Sequence, residues 1–167
     1  MSFLSAYYTL FSIFEFVSGK FMKFSILLRL MRFWPPFLGA GVRVKSFKPD
    51  FTTIVIQMKM HFWNRNYVGT HFGGSIYSMT DPFYMLMLMQ LLGKGYIIWD
   101  KSASIRYKIP AKGNLYAKFE LSQEQIEKIR AEVEERGKIQ PEFHIPITNE
   151  ANEIVAIVNK VISIAKK

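Results

Sequence analysis

The 167-residue chain contains no cysteine. Disulfides, thiolate nucleophiles and zinc–thiolate sites are therefore excluded, and the redox compartment cannot be read from it. Acidic side chains are sparse, with 13 Asp+Glu against 22 Lys+Arg and a formal net charge of +9. The three histidines, His61, His71 and His144, have no metal-ligand spacing, so no metal site is expected. A phosphate-binding Gly-rich Lys-Ser/Thr loop, a Gly-x-Ser-x-Gly elbow and a His-Glu-x-x-His run are all missing. No uninterrupted apolar run is long enough to span a bilayer. Ser2–Val17 is too short, and Ser75–Leu92 carries Asp81-Pro82 near its middle, an ionisable group and a helix breaker that lipid disfavours. Ser2–Val17 also lacks the basic start of a signal peptide.

What is present is a half-apolar chain of single-domain length. Such a chain buries about two thirds of its unfolded surface. Its charge is divided: residues 1–117 hold 14 basic and 4 acidic side chains, residues 118–167 hold 8 and 9. A basic first two thirds suits an anionic partner, whether a phosphate-bearing ligand, nucleic acid or anionic lipid. The basic residues of Arg106-Tyr107-Lys108 do not by themselves make an RNA-binding sheet, and no nucleic-acid partner is expected. Phe21–Trp34 interleaves Lys23, Arg29 and Arg32 with apolar residues and stops at Pro35-Pro36. It reads either as a basic helix on a membrane surface, making residues 1–34 a peripheral contact, or as a helix packed on its own domain.

Beyond Pro36 the pattern predicts α+β. Strands are expected near Val42–Phe47 and Thr52–Met60 from two-residue alternation. One long apolar helix follows to Leu92, closed by Gly93. Alternation at Ala103–Ile109 and Leu115–Leu121 about Gly113-Asn114 reads as a hairpin. Ser122 with Gln125 forms a capping box for a short surface helix that ends at Gly137. Two strands close the chain, Ile139–Thr148, whose Pro141 and Pro146 suggest an edge or bulge, and Ile154–Ile164. One very apolar helix among antiparallel strands is buried most simply if the sheet curls around it. A helical extension over residues 1–35 and a main domain over residues 36–167 are the expected divisions.

Chemistry concentrates between Asn66 and Pro82. Gly73 and Gly74 at a helix start let a ligand approach the backbone, and their free N–H groups could polarise a carbonyl. A tight turn without ligand would use the same residues. Asp81 stands eight residues after Gly73. It is either a catalytic carboxylate or, with Pro82, an N-cap and first residue that restart the helix.

Gly69-Thr70-His71-Phe72-Gly73-Gly74 with Asp81 resembles the motif of the hotdog-fold acyl-CoA thioesterases, the phenylacetate-pathway type in particular. Ser104–Gly113 resembles their next strand and turn, and a bacterial branch of unknown function, with Gly-Thr-His-Phe-Gly-Gly and Asp-Pro-Phe-Tyr-Met-Leu, is the nearest in pattern. The likeness spans roughly residues 40–167. It implies a hotdog fold, to which the N-terminal helical extension would be added, acting as a cytoplasmic homodimer or homotetramer. It implies hydrolysis of an acyl-CoA or related thioester, with no cofactor beyond the CoA of the substrate. Asp81 takes the place of the catalytic base or nucleophile, Gly73 and Gly74 of the thioester-oxygen site, and Asn66 of an orienting residue. His71 is displaced by one position from the family's usual His, which Phe72 replaces. Arg106, Lys108 and Lys112 would face CoA phosphates, or equally form a solvated strand edge. A non-catalytic acyl-thioester binder and a hotdog dehydratase or hydratase using His71 with Asp81 remain open readings.

Overall fold

The computed structural model describes residues 23–167, so the Ser2–Val17 run and most of the expected extension lie outside the described residues. Helix α1 (Phe24–Leu30) runs through a 3₁₀ turn (Met31–Phe33) into α2 (Pro35–Ala40), which starts on a proline pair whose ring geometry suits the first helical turn. Strands β1 (Val42–Phe47) and β2 (Thr53–Met58) form an antiparallel pair. Then come a 3₁₀ turn (Phe62–Asn64), α3 (Gly73–Ser78), α4 (Phe83–Leu92), β3 (Tyr96–Tyr107) and β4 (Leu115–Glu120). Helix α5 (Gln123–Arg136), β5 (Lys138–Ile139), β6 (Glu142–Thr148) and β7 (Ile154–Lys166) complete the chain. All strand pairings are antiparallel, in the order β1-β2-β4-β6-β7-β3, with β5 also on β7.

The sheet folds over α4 because that helix is apolar on nearly every side. Phe83, Met87 and Leu88 are fully buried. Phe83 meets Phe119 of β4 and Phe37 of α2, while Tyr84 stacks on Phe143 of β6. Burying each such side chain is worth about 1.5–3 kcal/mol, more than any single surface contact here. Helix α1 joins the same core through Leu28 and Met31.

Three expectations need correction. The single long helix is two helices, because Pro82 offers no N–H and the chain leaves helical pairing between Ser78 and Phe83. Strands β3 and β4 are not a hairpin: β3 pairs only with β7 at a sheet edge, while β4 lies between β2 and β6. The connection, residues 108–114, is tied instead to the preceding loop, with the His71 N–H donating to the Ala111 carbonyl at 2.9 Å. Strand β6 is interior rather than an edge, while the bulge that its prolines equally suggest is present, since its register on β7 shifts between Ile147 and Thr148. It nevertheless pairs with β4 only at Ile147 and Thr148, so both prolines fall outside that short ladder. The capping box of α5 forms as expected, with Ser122 and Gln125 each accepting from the other's backbone N–H.

Asn64 fixes the loop that leads to the site. Its buried amide donates to the carbonyls of Ala40 and Lys59 and accepts from the His61 N–H at 2.7 Å. Asn64→Asp would put an acceptor-only carboxylate against two carbonyls. It should cost about 2–4 kcal/mol in denaturant unfolding, and an unchanged midpoint would refute this role.

Candidate functional site

The loop from Asn66 to Phe72 is organised by one side chain. The Asn66 amide oxygen accepts from the N–H groups of Val68 and Thr70, and its nitrogen donates to the Thr70 hydroxyl at 2.7 Å and the His71 carbonyl at 3.2 Å. An amide has about four such positions, and all are used within the loop. Asn66 thus shapes the site rather than reaching out of it.

His71 is buried, with its Nε2 2.8 Å from the Gly113 carbonyl. A carbonyl can only accept, so this nitrogen carries the proton and Nδ1 is left as an acceptor. Nδ1 is buried without a partner. Burial chiefly, with the nearby cation of Arg65 and with His61, pushes the imidazole pKa below its ordinary value, against the pull of the Gly113 carbonyl. Through Nε2 the neutral ring holds residues 108–114 in place.

Phe72 precedes α3, so Gly73 and Gly74 are its first two residues. Their N–H groups have no intrahelical acceptor. The need for glycine is steric and local. A Cβ on Gly73 would stand 2.7 Å from the Tyr107 hydroxyl, and one on Gly74 would stand 2.5 Å from the Phe72 ring. Tyr107, at the end of β3, therefore rests directly on Gly73. Together Asn66, His71, Gly73, Tyr107, Lys108 and Lys112 line a groove of about 570 Å³. Gly74, Arg106 and Asp81 do not line it. Arg106 neighbours Tyr107 on β3, and strand pleating sends it to the opposite face.

Asp81 lies at the far end of α3, in the break before α4. Its carboxylate does not cap α4, whose N-cap is Pro82. Instead Oδ1 lies 3.2 Å from Lys160 Nζ and 3.5 Å from the Tyr77 hydroxyl. Lys160 also donates to the Asp81 backbone carbonyl and to Asp100 Oδ2 at 3.0 Å. Three acceptors thus satisfy the three N–H bonds of an ammonium that is 0% exposed, while the Asp81 side chain remains 47% exposed. Burial raises the Asp100 carboxyl pKa, opposed by Lys160 and reinforced by Asp81. Burial, then the two carboxylates, raises the Tyr77 phenol and keeps it a neutral donor.

Lys160, Asp100, Tyr77 and Tyr107 were not among the residues expected from the sequence. Lys160 has a signal: it occupies an inward position of β7 between Val158 and Ile162, where only apolar residues belong. Asp100 is masked by a bulge between Asp100 and Ser102 that shifts the register of β3.

Removing the ammonium would leave two carboxylates facing each other across an apolar hole. Lys160→Met should destabilise the fold by about 2–4 kcal/mol, whereas Asp100→Asn, which keeps an acceptor, should cost less. Equal unfolding midpoints for wild type and Lys160→Met would show that the ion cluster contributes nothing.

Among curated proteins none matches the chain. Solved structures do. A Pseudomonas aeruginosa protein of unknown function, described as a probable thioesterase, superposes with a TM-score of 0.75 at 20% identity, covering 89% of this chain and 100% of its own. A Chlorobaculum tepidum protein of unknown function gives 0.70 at 18% identity, covering 86% and 94%. A Haemophilus influenzae thioesterase gives 0.63 at 14%, covering 88% and 93%. At these identities the likeness establishes the fold, the α+β hotdog. The family model for the domain of unknown function DUF4442 matches residues 23–164, and the chain belongs to that family.

Proposed function

We propose that the protein is a thioester hydrolase acting on acyl-CoA or a related thioester. The observation that carries this reading is that the helix-start residue Gly73, followed by Gly74, lines a groove that Lys108 and Lys112 also line. In this reading the thioester oxygen lies on the Gly73 and Gly74 N–H groups, with the Tyr107 hydroxyl the adjacent donor, and their partial positive charge stabilises the oxyanion. Lys108 and Lys112 meet CoA phosphates at the groove rim. Water attacks the carbonyl carbon and gives its proton to Asp81. The tetrahedral intermediate then collapses, the C–S bond breaks, and the sulfur leaves with its electron pair and takes the proton back from Asp81 to give the thiol, which restores the carboxylate. Lys160 and Tyr77 act as positioning residues that hold the Asp81 carboxylate, and Asn66 and His71 hold the loops. A hydratase would use the His71 imidazole as an acid or base at the substrate, and its Nε2 is already engaged by the Gly113 carbonyl.

Within one chain Asp81 does not line the groove, so the reading requires a second copy. Among the described residues the outer edge of β3 has no strand partner over its twelve residues, and it exposes Trp99. Such an edge favours strand pairing between copies. Two chains joined there would bring the groove of one toward Asp81 of the other. Light scattering at micromolar concentration should therefore give at least a dimeric mass. A monomer that retains full turnover would overturn the shared site.

The catalytic role of Asp81 is tested by Asp81→Asn. Asn still offers Lys160 an oxygen but cannot take a proton, so turnover of an acyl-CoA panel, read as released thiol, should fall ~10²-fold or more. Binding of a non-hydrolysable analogue should persist. Wild-type turnover in the variant would remove Asp81 from the mechanism. A wild type that binds the analogue without hydrolysing any thioester would make the protein an acyl-thioester binder.

A further inference from the structure

Helix α1 and the 3₁₀ turn that continues it are apolar on two opposite sides. Leu28 and Met31 enter the core, with Phe24 and Leu27 packed beside them. Ile26, Leu30 and Phe33, spaced four and three residues apart, fall on the other side and are 44%, 44% and 52% exposed. Lys23, Arg29 and Arg32 flank this second stripe and are exposed. The Arg32 guanidinium lies 4.5 Å from the centre of the exposed Phe33 ring. An apolar stripe facing outward between cations is unfavourable in water and needs a covering.

Charge selects the occupant. From Phe16 to Pro49 the sequence holds seven basic residues and no acidic one. A second copy laid symmetrically on this face would set cations against cations. The preceding 22 residues contain one acidic and one basic side chain, Glu15 and Lys20, and bring no net negative charge. Beside the helix, Arg29 and Lys45 open with Phe47 and Phe51 onto a cavity of about 630 Å³ that no acidic side chain lines. We propose that this face docks on an anionic lipid surface, with Ile26, Leu30 and Phe33 at the acyl boundary and Lys23, Arg29 and Arg32 among the headgroup phosphates. The core stripe of α1 stays in the protein throughout, so docking requires no rearrangement of the domain.

The test is co-sedimentation of the full chain with vesicles of phosphatidylcholine alone and with about 30 mol % phosphatidylglycerol. Binding should need the anionic lipid and weaken as salt rises from about 50 to about 500 mM. The charge reversal Lys23→Glu/Arg29→Glu/Arg32→Glu should reduce it by ~10²-fold or more, at about fivefold per cation near the surface. Ile26→Ser/Leu30→Ser/Phe33→Ser should reduce it as well, with thermal unfolding confirming that each variant is folded. Equal binding to both vesicles, no binding to either, or undiminished binding by both triple variants would overturn the proposal. So would an apolar variant that loses oligomeric mass while keeping vesicle binding, since the stripe would then meet a second copy.

Discussion

The Lys160 ammonium is the constraint around which this fold is arranged. A lysine with no exposed surface, pointing inward from the long strand β7, must find acceptors for all three N–H bonds or lose its charge. It finds two on Asp81, the backbone carbonyl and the carboxylate, and one on Asp100. The backbone carbonyl is accessible because the helix is interrupted at Asp81-Pro82. A continuous helix from Gly73 to Leu92 would have turned that carbonyl into its own ladder. The proline and the lysine are therefore two halves of one device. One frees an acceptor and the other consumes it, joining the central helices to β7 and, through Asp100, to the edge strand β3.

A second device joins the other end of α3 to the same strand. Tyr107 closes on Gly73 from β3, and any side chain at Gly73 would displace it. The loop beyond Tyr107 is held by His71 from below, through the carbonyls of Ala111 and Gly113. Each end of α3 is thus registered against β3, at Gly73 by packing and at Asp81 by charge. The edge strand is consequently the element on which the geometry of both halves of the site depends. Displacing it would disturb the groove and the carboxylate together.

Much of this was legible in the residues, and what was not follows a physical rule. Local patterns survived: the alternation of Thr53–Met58, the Ser122–Gln125 capping box and the buried Ile126, Ile129 and Val133 of α5 are all where periodicity puts them. The glycine pair does begin a helix. Long-range pairing was misread, because Gly113-Asn114 looks like a hairpin turn while β3 and β4 actually sit far apart in the sheet. Turn residues report local dihedral demands and carry no information about which strand comes next to which. Asp100 was hidden by the bulge after it, since alternation restarts out of phase at Ser102. Spacing alone also does not reveal that the Asn66 amide is taken up within its own loop, or that the His71 Nε2 is held by the Gly113 carbonyl, although both residues line the groove.

The division of charge along the chain has a corresponding division in space. The acidic excess after residue 117 lies largely on α5, whose Ile126, Ile129 and Val133 face the core while Glu124, Glu127, Glu134 and Glu135 are in solvent. Such a face makes only exposed pairs, of small energetic weight, such as Lys166 with Glu134. The cations of the first two thirds are different in setting. Lys108 and Lys112 line the groove beside Gly73, and Lys23, Arg29 and Arg32 border the outward apolar stripe of α1. In both places positive charge adjoins apolar surface, and among the described residues no carboxylate forms an ion pair with these cations. A ligand that brings phosphate and hydrocarbon together satisfies each. Thioesters of CoA and anionic lipids are both of this kind, so one compositional bias, basic and apolar at once, suits the groove and the helix face alike.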